Sequence, residues 1–537
     1  MGRVSTGARQ GTVAAAWVAR VAGLVLALAS LAVPADTGIA AEVAATRPNI
    51  VIVLADDLDT HSLKRMVNLG LMPALKSKVI DSSTQFTNSF VTTAWCCPSR
   101  ATLFTGLYSH NHHVFSNGGR LGGVQRFDDS SHLALWLQKS GYRTGLVGKY
   151  LNNYGNDEDP TTPVDDPGYV PPGWNDWQGL MDEAVDGLRA FQMYNYTIVD
   201  NGRLVRHGTA PSDYQTDVIA RRARQFVNES EALNDARPFF LLVAPTAPHL
   251  EMPTPVMSGC TDSMWDVTVR PAPRHVGTLP DSVQLPRPPS FNEPDLSDKP
   301  SWFRRIPLMT TRDIGCLKRQ YRDRLTSLRA VDDLVRSLVD TLQANGEWAN
   351  TVFIFTSDNG YFYGHHRLTD KVLGYEESIR VPLYIRAPGF PAQSTTRVAL
   401  NNDLAPTVTA FASIAPGLRV DGRSLLPLLR NPLETRWRKR FLVEYLGKVE
   451  ADIRPPRVPF SAVRTTGLSR TTPPNQFYVE WADGLGSSEF YDLASDPYQL
   501  RSQHANPAWA TVRNMLAGWL GQFRTCGGGS CQSLENQ

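Results

Sequence analysis

Two uninterrupted apolar runs, each closed by a pair of acidic or amide side chains, constrain this chain most. Residues 49–54 (NIVIVL) and 351–355 (TVFIF) are rich in β-branched and aromatic side chains and lack polar alternation. Runs of that kind mark strands buried on both faces, the situation in parallel sheets covered by helices. Residues 238–243 (PFFLLV) read the same way, and 142–147 is a shorter candidate. Between them, 321–342 carries Leu325, Leu328, Val331, Leu334, Val335, Leu338 and Leu342 at helical spacing. Buried strands alternating with amphipathic helices predict an α/β fold with a mostly parallel sheet.

Directly behind the first run stand Asp56 and Asp57; behind the second stand Ser357, Asp358 and Asn359. Open α/β sheets place their ligands at the carboxyl ends of such strands. Where the chain leaves the sheet, both members of a pair can turn toward one point. Three carboxylates and an amide oxygen make an all-oxygen set, suited to Ca²⁺ or Mg²⁺ and not to a thiolate-rich zinc site. Asp59 is expected to cap a helix or close a turn.

The chain has 537 residues and a formal net charge of +2. That length exceeds one compact core and predicts a large domain over 46–430 with a smaller one after it. The near-zero charge gives no support for nucleic-acid binding. Arg3, Arg9 and Arg20 precede an uncharged run at 21–33 and then small residues up to Ala41, the layout of a secretory signal peptide over 1–41. No later segment is apolar enough to span a bilayer, so no stable membrane anchor is expected. Residues 251–300 hold ten prolines and read as a long irregular excursion. Short β-like pieces at 441–445 and 476–481 and a helix near 509–523 predict a small α+β unit over 431–525, with 526–537 as a tail. Export permits disulfides; Cys526–Cys531, spanning Gly527-Gly528-Gly529-Ser530, is the expected bridge, and Cys260–Cys316 is a second possibility.

The remaining cysteines, Cys96 and Cys97, open the stretch Cys96-Cys97-Pro98-Ser99-Arg100, followed by Ala101-Thr102-Leu103-Phe104-Thr105-Gly106. Pro98 suits a first helical turn and Gly106 a helix end. Cys96 then lies at a helix N-terminus, where backbone N–H groups favour an anion and nucleophilic chemistry on a charged ester. Taken alone, the stretch also reads as a buried cysteine pair beside a cap, or half of a disulfide.

C-x-P-S-R with T-G behind it resembles the signature of type I sulfatases. The resemblance implies an alkaline-phosphatase-like α/β fold and oxidation of Cys96 to formylglycine (3-oxoalanine) by a separate formylglycine-generating enzyme. It implies Asp56, Asp57, Asp358 and Asn359, with residue 96, as metal ligands. Arg100 falls at the family's arginine position. Lys149 in Gly148-Lys149-Tyr150, His249 in Ala247-Pro248-His249, and Lys371 ahead of Tyr375-Glu376 match its sulfate-handling residues, and His366 is a substrate contact. Glu489-Phe490-Tyr491-Asp492-Leu493 with Asp496-Pro497 resembles the end of many sulfatase chains. One departure is Leu151, where many members carry histidine; Asn152 is the candidate to stand in for it. Lys149-Tyr150-Leu151-Asn152, Pro171-Pro172-Gly173-Trp174, Ser109-His110-Asn111-His112-His113 and Phe291-Asn292-Glu293 resemble the N-acetylglucosamine-6-sulfatase and extracellular endosulfatase branch.

The resemblance implies hydrolysis of a sulfated carbohydrate of N-acetylglucosamine-6-sulfate type, or of a smaller sulfate ester, by an exported enzyme. Lys149, Lys371, Arg100 and the cation would neutralise the ester, the hydrated aldehyde would attack sulfur, and His249 or Lys371 would protonate the leaving oxygen. Three alternatives stay open: an arylsulfatase of broad specificity, a formylglycine-dependent phosphonate or phosphodiester hydrolase, and a glycan-binding protein whose Cys96 is never oxidised.

Overall fold

The computed structural model describes residues 47–155, 168–182, 190–252, 257, 260, 267–450, 456–468 and 474–537; the expected leader at 1–41 lies outside them. Ten strands form one sheet: β1 (Asn49–Ala55), β2 (Thr84–Phe86), β3 (Arg143–Lys149), β4 (Asp176–Leu180), β5 (Tyr196–Asp200), β6 (Arg203–His207), β7 (Phe239–Ala244), β8 (Thr351–Ser357), β9 (Leu383–Arg386) and β10 (Gln393–Thr395). Their order is β10-β2-β9-β8-β1-β7-β3-β4-β5-β6. The central block β8-β1-β7-β3-β4 is parallel, and antiparallel pairings join β9 and β5 to its two sides.

The apolar runs are continuous because both sheet faces are covered. Val51, Val53 and Ala55 enter one core, while Ile50, Ile52 and Leu54 enter the other. Successive strand side chains point to opposite faces, so one run serves two cores. The first core is roofed by the helices Gln215–Ala232 and Thr311–Ala344. The second helix exceeds the expected 321–342 because Thr310 and Asp313 form a reciprocal capping box at its start, a signal outside the apolar stripe. Asp59 caps the helix Thr60–Asn68 by accepting from the Ser62 N–H at 2.8 Å.

A four-stranded antiparallel sheet follows, β11 (Arg440–Tyr445), β12 (Phe460–Thr465), β13 (Gln476–Trp481) and β14 (Ser488–Asp492), in sequence order. The helix Ala510–Phe523 packs its Leu516 and Leu520 with Leu442, Val463 and Phe490 of this sheet. Residues 46–537 form one compact unit, in which the small sheet shares a core with Phe90 and Val91. Among the described residues, no helix is long and apolar enough to cross a membrane. Cys260 is bonded to Cys316 and Cys526 to Cys531.

Residues 526–537 are not the tail expected from their glycines. They hold the helix Gly529–Asn536, whose Glu535 is wholly buried. Glu535 accepts from Tyr108 Oη at 2.7 Å and from Arg438 Nε at 3.0 Å, and Arg438 also pairs with Asp403. A buried carboxylate needs such partners. Glu535→Ala leaves Arg438 and Tyr108 short of an acceptor; chemical denaturation should show a loss of about 3 kcal/mol, the scale for breaking a buried pair. A loss below about 0.5 kcal/mol, typical of a surface change, would mean that the terminal helix is only loosely attached.

Candidate active site

β1 and β8 pair in register, with Ala55 opposite Ser357 at their ends. The next residues, Asp56-Asp57 and Asp358-Asn359, therefore leave the sheet side by side. The Asp57 N–H donates to Oδ1 of Asp358 at 3.1 Å, and the Asn359 amide donates to Oδ1 of Asp57 at 2.7 Å. Asp57 has φ of 64°, a left-handed backbone that few side-chain-bearing residues adopt. Both aspartates of the first pair face Cys96: its Sγ lies 3.6 Å from Asp56 Oδ1 and 3.9 Å from Asp57 Oδ1.

Cys96 is the first residue of the helix Cys96–Thr105 and is wholly buried. Ser99 makes the first backbone bond of the helix, to Trp95, so Pro98 costs it no hydrogen bond. Gly106 closes the helix at φ of 72°, as its position predicts. The two cysteines part company here. Cys97 enters the apolar core beside Ala101 and Phe104, and burial pushes its thiol up to about 12. Burial likewise pushes the Cys96 thiol well above its ordinary value, with Asp56 and Asp358 adding to the effect.

Three cations answer the acids. Lys149, at the end of β3, places Nζ 2.6 Å from Asp56 Oδ2. Gly148 allows this: its φ is +115°, and a Cβ there would sit 2.2 Å from the Ala244 carbonyl oxygen of β7. Lys371 pairs with Asp57. Arg100 donates from Nε to Asp358 Oδ2 at 2.9 Å and from Nη1 to the Lys149 carbonyl at 2.8 Å. Burial alone would raise the Asp57 carboxyl, but Lys371, His249 and Arg324 hold it well below the usual carboxylate range. Asp358 is pushed up to about 6 by burial and by the charge of Asp56. His249 lies with Nε2 3.4 Å from Asp57 Oδ2 and Nδ1 2.6 Å from the Leu250 carbonyl. Burial pushes it down to about 3, aided by Lys371 and Lys149.

The donor set fits a hard divalent cation. Asn359 Oδ1 is buried without a hydrogen-bond partner, the atom that an oxygen-seeking ion would engage. Ligand atoms of Asp56, Asp57, Cys96 and His249 lie within 4.8 Å of one another, so the cluster adds a nitrogen to the expected oxygens. Asp358 and Asn359 are bonded onto it through Asp57. His366 and Asn152 have other neighbours. His366 is wholly buried, with Nδ1 2.6 Å from Glu293 Oε2 and its ring stacked on Tyr375. Asn152 is buried, and its carbonyl accepts from the Val124 N–H.

Two residues of the site escaped sequence reasoning. Phe191 stacks on His249 with ring centroids 4.4 Å apart and lies 4.5 Å from Lys149 Nζ; it sits in a stretch without periodicity, which carried no signal. Arg324 is wholly buried on the helix Thr311–Ala344. It donates from Nη2 to the Asp57 carbonyl at 2.6 Å and from Nε to Tyr363 Oη at 2.8 Å, and lies 3.7 Å over the Tyr361 ring. A signal for Arg324 existed: it is a cation on the apolar stripe, three residues after Tyr321 and four before Leu328.

Residues 48–414 match the family model described as Sulfatase, and 364–525 match N-sulphoglucosamine sulphohydrolase, C-terminal. The chain is 32% identical over 523 residues to N-acetylglucosamine-6-sulfatase of Capra hircus, covering 91% of this chain and 85% of that protein. It is 32% identical over 409 residues to a putative extracellular sulfatase Sulf-1 homolog of Caenorhabditis elegans, covering 74% of this chain and 52% of that protein. It superposes with a TM-score of 0.69 and 22% identity on a structure described as in complex with its substrate D-glucosamine-2-N,6-O-disulfate, over 91% of this chain and 99% of that one.

Arg324 donates to the carbonyl of Asp57, the residue with the left-handed backbone, and is placed to orient it. Calorimetric titration with Ca²⁺ should therefore show Arg324→Ala binding about 10–100-fold more weakly, as when a group orienting metal ligands is lost. Arg324→Gln keeps a donor for the Asp57 carbonyl and should lose less. Unchanged affinity in Arg324→Ala would refute this positioning role.

Proposed function

The chain belongs to the sulfatase family and is a sulfuric ester hydrolase, and from that premise we propose that it removes 6-O-sulfate from glucosamine units of a glycosaminoglycan-like carbohydrate, with residue 96 as formylglycine and Ca²⁺ as the metal. One observation carries the reading: Cys96 Sγ, 3.6 Å and 3.9 Å from two aspartates, belongs to the same buried cluster as Lys149, Lys371 and Arg100. The glucosamine preference is supported by the name of the Capra hircus relative and by the disulfated glucosamine in the superposed structure.

A sulfate monoester brings negative charge and a poor alkoxide leaving group. Lys149 and Lys371 are already desolvated and paired, so they meet the ester's charge with little reorganisation. Asp56, Asp57, Asp358 and Asn359 would hold the cation, which adds charge stabilisation at the sulfate. As its hydrate, the converted side chain would supply one hydroxyl to attack sulfur as the protonated alcohol leaves, and a second whose oxygen would re-form the aldehyde as sulfate is released. Oxidation also frees residue 96 from dependence on a thiolate, which its buried position disfavours.

Lys371 is our choice for the leaving-group acid. His249 spends Nδ1 on the Leu250 carbonyl, and in its neutral form Nε2 then carries a lone pair and no proton. Lys371 is held protonated: burial opposes the charge, but Asp57 outweighs it. Export of the mature enzyme is supported by the reading of 1–41, by the two disulfides and by the extracellular Caenorhabditis elegans relative. A formylglycine-generating enzyme is the implied maturation partner.

Cys96→Ala should abolish sulfate release, by more than about 10⁴-fold, with circular dichroism unchanged, whereas Cys97→Ala should keep activity within about tenfold and lose stability by roughly 1–2 kcal/mol. Comparable activity in the two variants would remove residue 96 from its role. Across aryl sulfates of graded leaving-group pKa, Lys371→Ala should show a steeper dependence than His249→Ala, because good leaving groups need no acid. The reverse order would assign the proton to His249.

A further inference from the structure

Tyr361 and Tyr363, which hold Arg324 behind Asp57, also line a separate cavity of about 700 Å³. Its lining includes none of Asp56, Asp57, Cys96, Lys149, His249 or Lys371. The volume falls within the roughly 300–1,000 Å³ typical of ligand sites. One wall is the helix Thr60–Asn68, which contributes His61, Lys64 and Arg65; another is Pro286-Arg287-Pro288, from the proline-rich excursion.

The charge here is unbalanced. Among the described residues, Lys64, Arg65 and Arg287 are in no ion pair, whereas the catalytic cations all are. The buried Nε of Arg65 has no hydrogen-bond partner. Two acids share the lining. Asp59 accepts the Ser62 N–H on Oδ1 and keeps a buried, unpartnered Oδ2, while burial raises the Glu377 carboxyl and weakens it as a counter-charge, so three cations face one firm anion. Burial and the nearby Arg380 lower the Lys64 ammonium. Prolines on both sides of Arg287 limit its backbone, so presenting that cation costs little entropy on binding. Tyr498, 40% exposed, adds an aromatic surface on which a sugar ring can lie.

We propose that this cavity is a second, non-catalytic binding site for the sulfate or carboxylate groups of an anionic sugar chain, holding the polymer while the sulfate ester on another of its sugar units is hydrolysed at position 96. That role rests on the carbohydrate-sulfatase reading.

The test is the double variant Lys64→Glu/Arg287→Glu. On 4-nitrophenyl sulfate its kcat/KM should stay within about twofold of the parent. On a heparin hexasaccharide its KM should rise about tenfold or more with kcat little changed, and the difference should vanish at ~1 M salt. Calorimetry of the same hexasaccharide against Cys96→Ala, with and without the two charge reversals, reads the site independently of turnover. Weaker binding in the reversed protein, with no desulfation by the parent, keeps the site and overturns the substrate reading. Unchanged KM and unchanged affinity overturn the site. Equal affinity of the Cys96→Ala protein for a DNA strand of matched charge would show a general polyanion patch and overturn its assignment to sugar chains.

Discussion

In-register pairing of two parallel strands drives Asp56 and Asp358 into the same dry interior, with Asp57 and Asn359 one residue further on. Three carboxylates this close repel one another, and burial removes the water that would screen them. The neighbourhood is built in response. Lys149 comes from a third strand end, Lys371 from beyond β8, and Arg100 from the helix that starts at Cys96. Their approach sets local details as small as the missing Cβ of Gly148.

Such a cluster is a poor way to stabilise a fold. Buried ion pairs roughly repay their desolvation, and the positive φ of Asp57 is a further expense. The two apolar cores above and below the sheet carry that burden. What the cluster offers is preorganisation: cations and acids already stripped of water, fixed by a sheet edge rather than a mobile loop. The buried Asn359 oxygen, without a hydrogen-bond partner beside these acids, is an acceptor suited to an oxygen-seeking cation.

The central sheet was legible because its signal is local. A continuous apolar run declares burial on both faces, and the acids behind it declare the ligand edge. The capping residue Asp59 and the helix end at Gly106 were legible from backbone chemistry alone. Arg324 was overlooked because its partner, the Asp57 carbonyl, is 267 residues away in the chain, although its place on an apolar stripe was visible. Phe191 gave no periodic cue. The terminal helix was hidden by its glycines: nothing near Glu535 in sequence announces Arg438 and Tyr108, which make its burial tolerable. Strand order and the positions of Asn152 and His366 likewise depend on contacts between distant segments.

The proposed activity turns on the chemical state of residue 96, since burial among carboxylates disfavours the thiolate there. The most direct measurement is the mass of the proteolytic peptide spanning residue 96, taken from enzyme that releases sulfate. The expected result is the loss of mass that accompanies replacement of the thiol by an aldehyde, confined to that residue and absent at Cys97. Fully active enzyme whose residue 96 is an intact cysteine throughout would contradict it.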